Sequence, residues 1–388
     1  MRVYLDHAAT TPLRPEARDA WLAASTTVGN ASSIHGGGQA ARRLLEDSRE
    51  RIAAVLGCDP IEIVLTSGGT EAINLALKGL WWSRAGTGAV VLPDGEHHAT
   101  LDVVEWLRVH EGAEVIGVPL DAGGRIDPDG FAAALSSPDV AFGTALMANN
   151  EAGTVNDSAR LSTAAARAGV PLHLDAVAAF GHLPVRFSAL RADAGGPAGL
   201  VALSVSAHKI GGPVGIGALV VSRNAKLTPL LHGGGQQRAL RAGTQDVAGA
   251  AAFAVAAELA EWEREAESER LSALRDRLVL GILDAVPEAE LLGDPVQRLP
   301  GNAHILFPGA AGESLLFLLD QAGIAVSTGS ACQAGVPEPS HVVLAMGRTE
   351  SDARSVLRLT LGRTSREGDV DALLAAIPDA YARAARKA

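Results

Sequence analysis

Lys209 stands in the run Leu200-Val201-Ala202-Leu203-Ser204-Val205-Ser206-Ala207-His208-Lys209-Ile210-Gly211-Gly212-Pro213, where an apolar, β-rich stretch ends and a glycine-proline break follows. A lysine at the mouth of a buried strand, beside flexible backbone, is a candidate for desolvation. Unlike arginine, a desolvated lysine can lose its proton and become an amine nucleophile that forms a Schiff base. Lysine is otherwise scarce: Lys78, Lys226 and Lys387 are the others, and arginine carries nearly all the positive charge. A lysine snorkelling from a strand end is the alternative use of such a residue.

Three further stretches carry chemistry that such an amine would need. Ser67-Gly68-Gly69-Thr70 lies between a strand, Glu62 to Thr66, and a helix beginning at Glu71. Strand, glycine turn and helix is the geometry in which free backbone N–H groups meet a phosphate. The stretch is neither a Walker loop nor a GxGxxG dinucleotide turn. Asp175 ends the strand Pro171 to Leu174; it can cap a helix or, if buried beside a cationic ring nitrogen, stay ionised and hold that nitrogen protonated. Either His97 or His98 can stack on a ring; as adjacent residues they offer a poor bite for one metal ion, and no metal site is expected. An aldehyde for the lysine, a pyridinium for the acid and a phosphate for the turn together point to pyridoxal 5'-phosphate. Cys332, in Gly329-Ser330-Ala331-Cys332-Gln333-Ala334-Gly335, belongs to a small-residue loop suited to a thiolate nucleophile that moves between sites. Cys58, after the apolar run Ala53 to Leu56, reads as a buried and inert thiol.

The elements that must position these residues alternate. Strands end before Ser67, before Glu96-His97-His98, before Asn149-Asn150-Glu151, at Asp175 and at Ser206, and helices intervene with short connections. Such alternation predicts a largely parallel sheet covered on both faces, with the polar strand ends gathered in one crevice. A helical run from Val247 to about Val286 is long enough to bridge two domains, and shorter α and β elements follow Pro287. The fold class is α/β, a large domain with a mostly parallel sheet between helices plus a smaller α+β domain. The large, cofactor-binding domain is placed at residues 15–250; residues 1–14 and 251–388 form the small domain that carries the cysteine loop.

Composition narrows the function classes. The chain has 388 residues, 47% of them hydrophobic, and a formal net charge of -11, which argues against a nucleic-acid or anionic-membrane surface. The acid Asp6 interrupts the first apolar run, so no secretory layout is expected and the location expected is cytoplasmic. Two cysteines without a CxxC pair suggest neither a disulfide framework nor a thiolate zinc site.

With Lys209, Asp175 and Cys332 in place, the sequence resembles the cysteine desulfurases, in the class V aminotransferase group of pyridoxal-phosphate enzymes. The stretches that carry the likeness run through the whole chain: Tyr4-Leu5-Asp6-His7, Ser32-Ser33-Ile34-His35, Thr66-Ser67-Gly68-Gly69-Thr70-Glu71, Glu96-His97, Asn149-Asn150-Glu151-Ala152-Gly153, Ser206-Ala207-His208-Lys209, Arg241-Ala242-Gly243-Thr244 and Gly329-Ser330-Ala331-Cys332. The resemblance implies the type I pyridoxal-phosphate fold and a homodimer. It implies that Lys209 binds the cofactor, that Asp175 partners the ring nitrogen, and that His97 stacks on the ring and shuttles protons. Gly69, Thr70, Ser206 and His208 would hold the phosphate, with Thr244 reaching across from the other subunit. Asn150 would lie near the phenolic oxygen and the substrate, and Arg358 would grip the substrate carboxylate with its bidentate fork.

The implied reaction removes sulfur from L-cysteine, giving L-alanine and a persulfide on Cys332 for a sulfur-acceptor protein. The long cysteine loop is similar to that of members serving iron-sulfur assembly and tRNA thiolation. Alternatives are a related lyase acting on selenocysteine or another β-substituted amino acid, or a cofactor-bound scaffold of low activity. Ala178 stands where members usually carry a glutamine that donates to the phenolic oxygen, so reduced or altered activity is expected. His7 for asparagine and Asn156 for glutamine are milder departures.

Overall fold

A computed structural model of the chain describes residues 2–191, 196–329 and 338–385. In chain order the first elements are β1 (Val3–Tyr4), α1 (Pro15–Ser25), α2 (Gly36–Leu56), β2 (Ile63–Thr66), α3 (Gly69–Ser83), β3 (Ala89–Pro93), α4 (His98–Glu111) and β4 (Glu114–Val118). There follow α5 (Pro128–Leu135), β5 (Val140–Leu146), α6 (Ser158–Ala168), β6 (Pro171–Asp175), α7 (Phe187–Arg191), β7 (Gly199–Ser206) and β8 (Gly217–Val221). The remainder comprises α8 (Val247–Ala285), β9 (Glu290–Leu292), β10 (Asn302–Leu306), α9 (Gly312–Gln321), β11 (Ile324–Ala325), α10 (His341–Ala345), α11 (Glu350–Arg354), β12 (Val356–Thr360) and α12 (Glu367–Ala385).

Seven of these strands form one sheet in the order β2-β8-β7-β6-β5-β3-β4. Every residue of β5 and β7 is buried, which is what continuous apolar runs such as Val140–Leu146 dictate for strands covered on both faces. One face packs against α3 and α4 around Trp81 and Phe142. The other packs against α2, α5, α6 and the start of α8, around Phe131 and Phe253. Only β8 runs antiparallel, against both β7 and β2, so the sheet is mixed at that edge. Because β2 is still parallel to β7, its C-terminal end and the glycine turn after it remain on the side of the other strand ends.

A second core gathers Leu271 to Ile282 of α8 with α9, α12, and the antiparallel strands β9, β10 and β12. β1 pairs in parallel with β11, so the first residues of the chain join this second body. The single helix α8 serves both: its alanine-rich half, Ala250 to Ala260, is buried against the large sheet, and its later half against the second core.

Local capping sets two of the element boundaries. α2 starts at Gly36, where His35 Nδ1 accepts from the Gly38 N–H at 3.3 Å and caps the helix. The segment Ser351 to Leu361 divides into α11 and β12, separated at Ser355, with Thr349 and Asp352 forming a capping box at the start of the helix.

Candidate active site

The C-terminal ends of the strands surround a cavity of about 260 Å3. Gly69, Thr70, His97, Asn150, Asp175, His208, Lys209 and Arg358, all named from the sequence, line it together. Ser206 lies just beneath at the end of β7, and Thr244 is exposed on the segment before α8, away from this cavity. Cys332 is outside the described residues.

Lys209 is carried by the turn that follows β7, and that turn is fastened from outside. The Thr11 N–H donates to the His208 carbonyl at 3.2 Å, and the Arg14 N–H to the Gly211 carbonyl at 2.8 Å. Arg14 Nε adds a bond to the Ile210 carbonyl at 3.0 Å, and its guanidinium pairs with Glu263 of α8 at 2.8 Å. Arg14 is buried, so the lysine turn is held by a desolvated ion pair that could not be guessed from the residues around Lys209.

Asp175 is 2% exposed, and its Oδ1 accepts from the Val177 N–H at 2.8 Å. Burial pushes its pKa up to about 6, against the pull of that hydrogen bond and of Lys209. A cationic ring nitrogen beside it would reverse the shift, because an opposite charge favours the ionised carboxylate. His97 caps α4: its Nδ1 accepts from the Ala99 N–H at 3.0 Å. Burial, with Lys209 next in effect, pushes its pKa down to about 3, so the ring is neutral and carries its proton on Nε2.

The phosphate end is built by backbone and one hydroxyl. Gly68, at φ 154° and ψ -173°, adopts a conformation open essentially to glycine and brings no capping side chain, leaving the first amide donors of α3 to a ligand. Ser206 Oγ is buried and has no hydrogen-bond partner within the protein. An orphaned hydroxyl beside a helix N-terminus is what an anionic oxygen would satisfy, so these residues fit pyridoxal phosphate.

At the opposite wall, Arg358 on β12 donates from one terminal nitrogen to the Asn150 carbonyl at 3.1 Å and from the other to Asp6 Oδ1 at 3.0 Å. Its Nε is buried without a partner. Asn149 shapes the adjoining turn, donating to the Gly95 carbonyl at 2.9 Å while its Oδ1 accepts from the Glu151 and Ala152 N–H groups.

Two residues of this neighbourhood had no role assigned from the sequence. Asp6 was legible as an acid in the first apolar run and as part of a stretch carrying the resemblance, with no role attached, although it lines the cavity and pairs with Arg358. Glu96 is 1% exposed, and its Oε1 accepts from the Leu146 N–H at 2.8 Å while Oε2 has no partner. Burial, reinforced by Asp175, pushes its pKa up to about 8, so it is protonated at neutral pH. Its position immediately before His97 is the signal that marks it. Burial pushes the Cys58 thiol up to about 12, which agrees with the inert reading. Among the described residues no group of three metal-ligating side chains comes together.

Residues 3–373 match the protein family described as Aminotransferase class-V. A Mycobacterium tuberculosis protein named IscS-like cysteine desulfurase is 49% identical over 99% of this chain and 98% of its own length. A Methanosarcina thermophila protein named cysteine desulfurase IscS is 40% identical over 97% of this chain and 91% of its own. Among solved structures, a NifS-like protein superposes with a TM-score of 0.90 at 31% identity, covering 99% of this chain and all of that one. A structure described as SspA in complex with cysteine gives a TM-score of 0.80 at 30% identity, over 93% of this chain and 99% of the other.

Proposed function

The chain belongs to the aminotransferase class-V family, and from that premise we propose that it is a cysteine desulfurase whose reaction takes place in the cavity around Lys209. Pyridoxal 5'-phosphate is its cofactor. The observation that carries the reading is the meeting of a lysine, a buried aspartate, a neutral histidine and an arginine around one cavity, beside an uncapped helix N-terminus.

When bound, the cofactor supplies an electron sink for bonds at the substrate's α- and β-carbons. Lys209 is the amine that would hold the cofactor's aldehyde, and the same amine would be placed to move the proton at the substrate Cα. Asp175 would keep a proton on the ring nitrogen, and His97 would cover the ring face with a neutral imidazole able to pass a proton through Nε2. Ser206 Oγ, His208 and the Gly69 and Thr70 amides would hold its phosphate. Arg358 would orient the substrate carboxylate, for which its unpartnered Nε is the available donor, and Asn150, on the same cavity wall, would lie beside the substrate.

The Cys332 thiolate attacks the substrate sulfur: the Cβ–S bond breaks, an S–S bond forms, and L-cysteine plus the Cys332 thiol become L-alanine plus a Cys332 persulfide. The substrate assignment draws on the relatives' names and on the cysteine-bound SspA structure. We further infer a cytoplasmic homodimer that passes the sulfur to a protein acceptor in iron-sulfur assembly or tRNA thiolation. In support of the dimer, Thr244 is exposed, and Val28 and Ile34, at 91% and 92% exposure, are apolar side chains a second copy would cover.

The test is release of sulfide and alanine from L-cysteine plus a thiol reductant by the purified holoenzyme, with Cys332→Ser alongside. Equal yields of the two products, lost in the variant, are expected. Absence of turnover by an enzyme that holds the cofactor, or full activity in Cys332→Ser, would sink the reading.

A further inference from the structure

A second, smaller cavity of about 40 Å3 lies against the first, walled by His7, Asn150, Ala178, His182, Lys209 and Asn302 among others. Ala8, Asn150, Ala178 and Lys209 border both, so the two spaces meet along the alanine wall. Asn302, the first residue of β10, is 2% exposed, and neither its Oδ1 nor its Nδ2 has a hydrogen-bond partner within the protein. It is wedged against the backbone of Gly153, where an added Cβ would come within 2.5 Å of Oδ1, so the amide has little freedom to seek partners elsewhere.

A buried amide with both ends unmatched is costly, and native structures relieve that cost with ordered water wherever a polar space adjoins. A site for one water needs about 10–15 Å3 and two to four polar neighbours, which this cavity provides. The phenolic oxygen of a cofactor held by Lys209 would face the same wall, where Ala178 offers no donor of its own.

We propose that Asn302 is a positioning residue that holds a buried water in this cavity, and that this water donates the hydrogen bond to the phenolic oxygen of pyridoxal phosphate. The inference rests on the reading that Lys209 carries the cofactor. A donor to the ionised oxygen stabilises the deprotonated form of the lysine-bound cofactor and lowers the pH at which its absorbance changes. The ionisable groups around that linkage are Asp6, His7 and Arg358 from the N-terminal segment and β12, and His97, Asp175, His182 and His208 from the large sheet and its connections. None of them is altered in the variants below, so a difference in midpoint reports the donor.

The experiment is a spectrophotometric pH titration of the purified holoenzyme and of Asn302→Leu, Ala178→Leu and the double variant Ala178→Gln with Asn302→Leu. Asn302→Leu removes the amide, and Ala178→Leu fills the cavity while leaving Asn302 in place; each is expected to raise the midpoint by about one to two pH units. The double variant supplies a side-chain amide at position 178 and is expected to bring the midpoint back to the wild-type value. Ala178→Leu carries the test if Asn302→Leu does not fold. An unmoved midpoint in Ala178→Leu overturns the water bridge, and so does a double variant as shifted as Asn302→Leu. Borohydride reduction followed by peptide mapping separates the two readings: loss of the label from Lys209 defeats the placement of the cofactor, whatever the midpoints.

Discussion

Arg358 is held by two weak claims on a strong group. Its side chain is 6% exposed and its partner Asp6 22%, so the pair is desolvated enough to matter, yet Nε is left over for a ligand. Lysine at this position would keep the charge and lose the planar fork that spans Asp6 and the Asn150 carbonyl. Arg358→Lys is therefore expected to raise KM for L-cysteine about 10- to 100-fold, the loss of one charge-assisted hydrogen bond, with a much smaller change in kcat. Steady-state kinetics check it, and a fall confined to kcat would count against a role in carboxylate binding. The arginine could be named from the sequence because Val356-Leu357-Arg358-Leu359 resembles a known pattern. Asp6 could not, because the contact spans 352 residues and only the joining of β1 to the second body brings it about. Likewise Lys209, Asp175 and His97 were legible as polar residues at strand ends, whereas the orphaned amide of Asn302 sits in an ordinary strand and only its surroundings mark it.

Among the described residues, the turn from Gln237 to Ala239 is the run with three successive non-glycine residues at positive φ. Its three residues have φ of 51°, 60° and 59°, the left-handed region that costs an L-residue roughly 1 kcal/mol or more. The Gln237 side chain compensates by acting as a strand: its Nε2 donates to the Leu65 carbonyl at 2.6 Å and its Oε1 accepts from the Leu65 N–H at 2.8 Å. Arg241, just beyond, donates to Glu71 at 2.9 Å, and with the Ser67 N–H holds that carboxyl below its usual range although burial alone would raise it. The strained turn thus tethers the Thr244 segment to the phosphate end of the cavity. Ala239→Gly should relieve strain and stabilise the fold by about 0.5–1 kcal/mol, read as a higher urea midpoint at unchanged slope. A lower midpoint would show that the alanine contributes more than its backbone costs. Alternating strands and helices were readable here because buried parallel strands are continuous apolar runs; the antiparallel β8 was not, since its Gly-Ala-Leu-Val-Val is no different in composition from its parallel neighbours.

For the molecule as a whole, buried histidines set the response to acid. His173 and His304 are fully buried and His7 nearly so, and burial pushes the pKa values of His7, His173 and His304 down to about 4, 3 and 3. In the unfolded chain they return to about 6.5, so between there and pH 4 the unfolded form binds more protons and stability falls as the pH drops. Two carboxyls oppose this: Glu96, pushed up to about 8, and Asp175, pushed up to about 6, bind protons more tightly in the folded chain. Three histidines against two acids leave a net loss of stability on acidification below pH 6, and a gain on acidification only above pH 6.5, where Glu96 acts alone. The part-buried His97, His182 and His208 shift in the same direction as the other histidines and steepen the loss. The cofactor-free protein should therefore be most stable near pH 6.5, as urea unfolding at pH 5, 6.5 and 8 would read; a maximum at pH 5 would mean that the buried imidazoles are solvated.

The pairing of Asp6 with Arg358 has a consequence for how the protein is made. A ribosome that has added Lys209 and Asp175 has completed neither wall of the substrate end, because the strand bearing the arginine is translated 352 residues after its acidic partner. The N-terminal segment can pair first with β11, and only its acid waits for β12 to emerge. The carboxylate-binding end is thus the last part of the cavity lining to be translated, after Gly69, His97, Asp175 and Lys209.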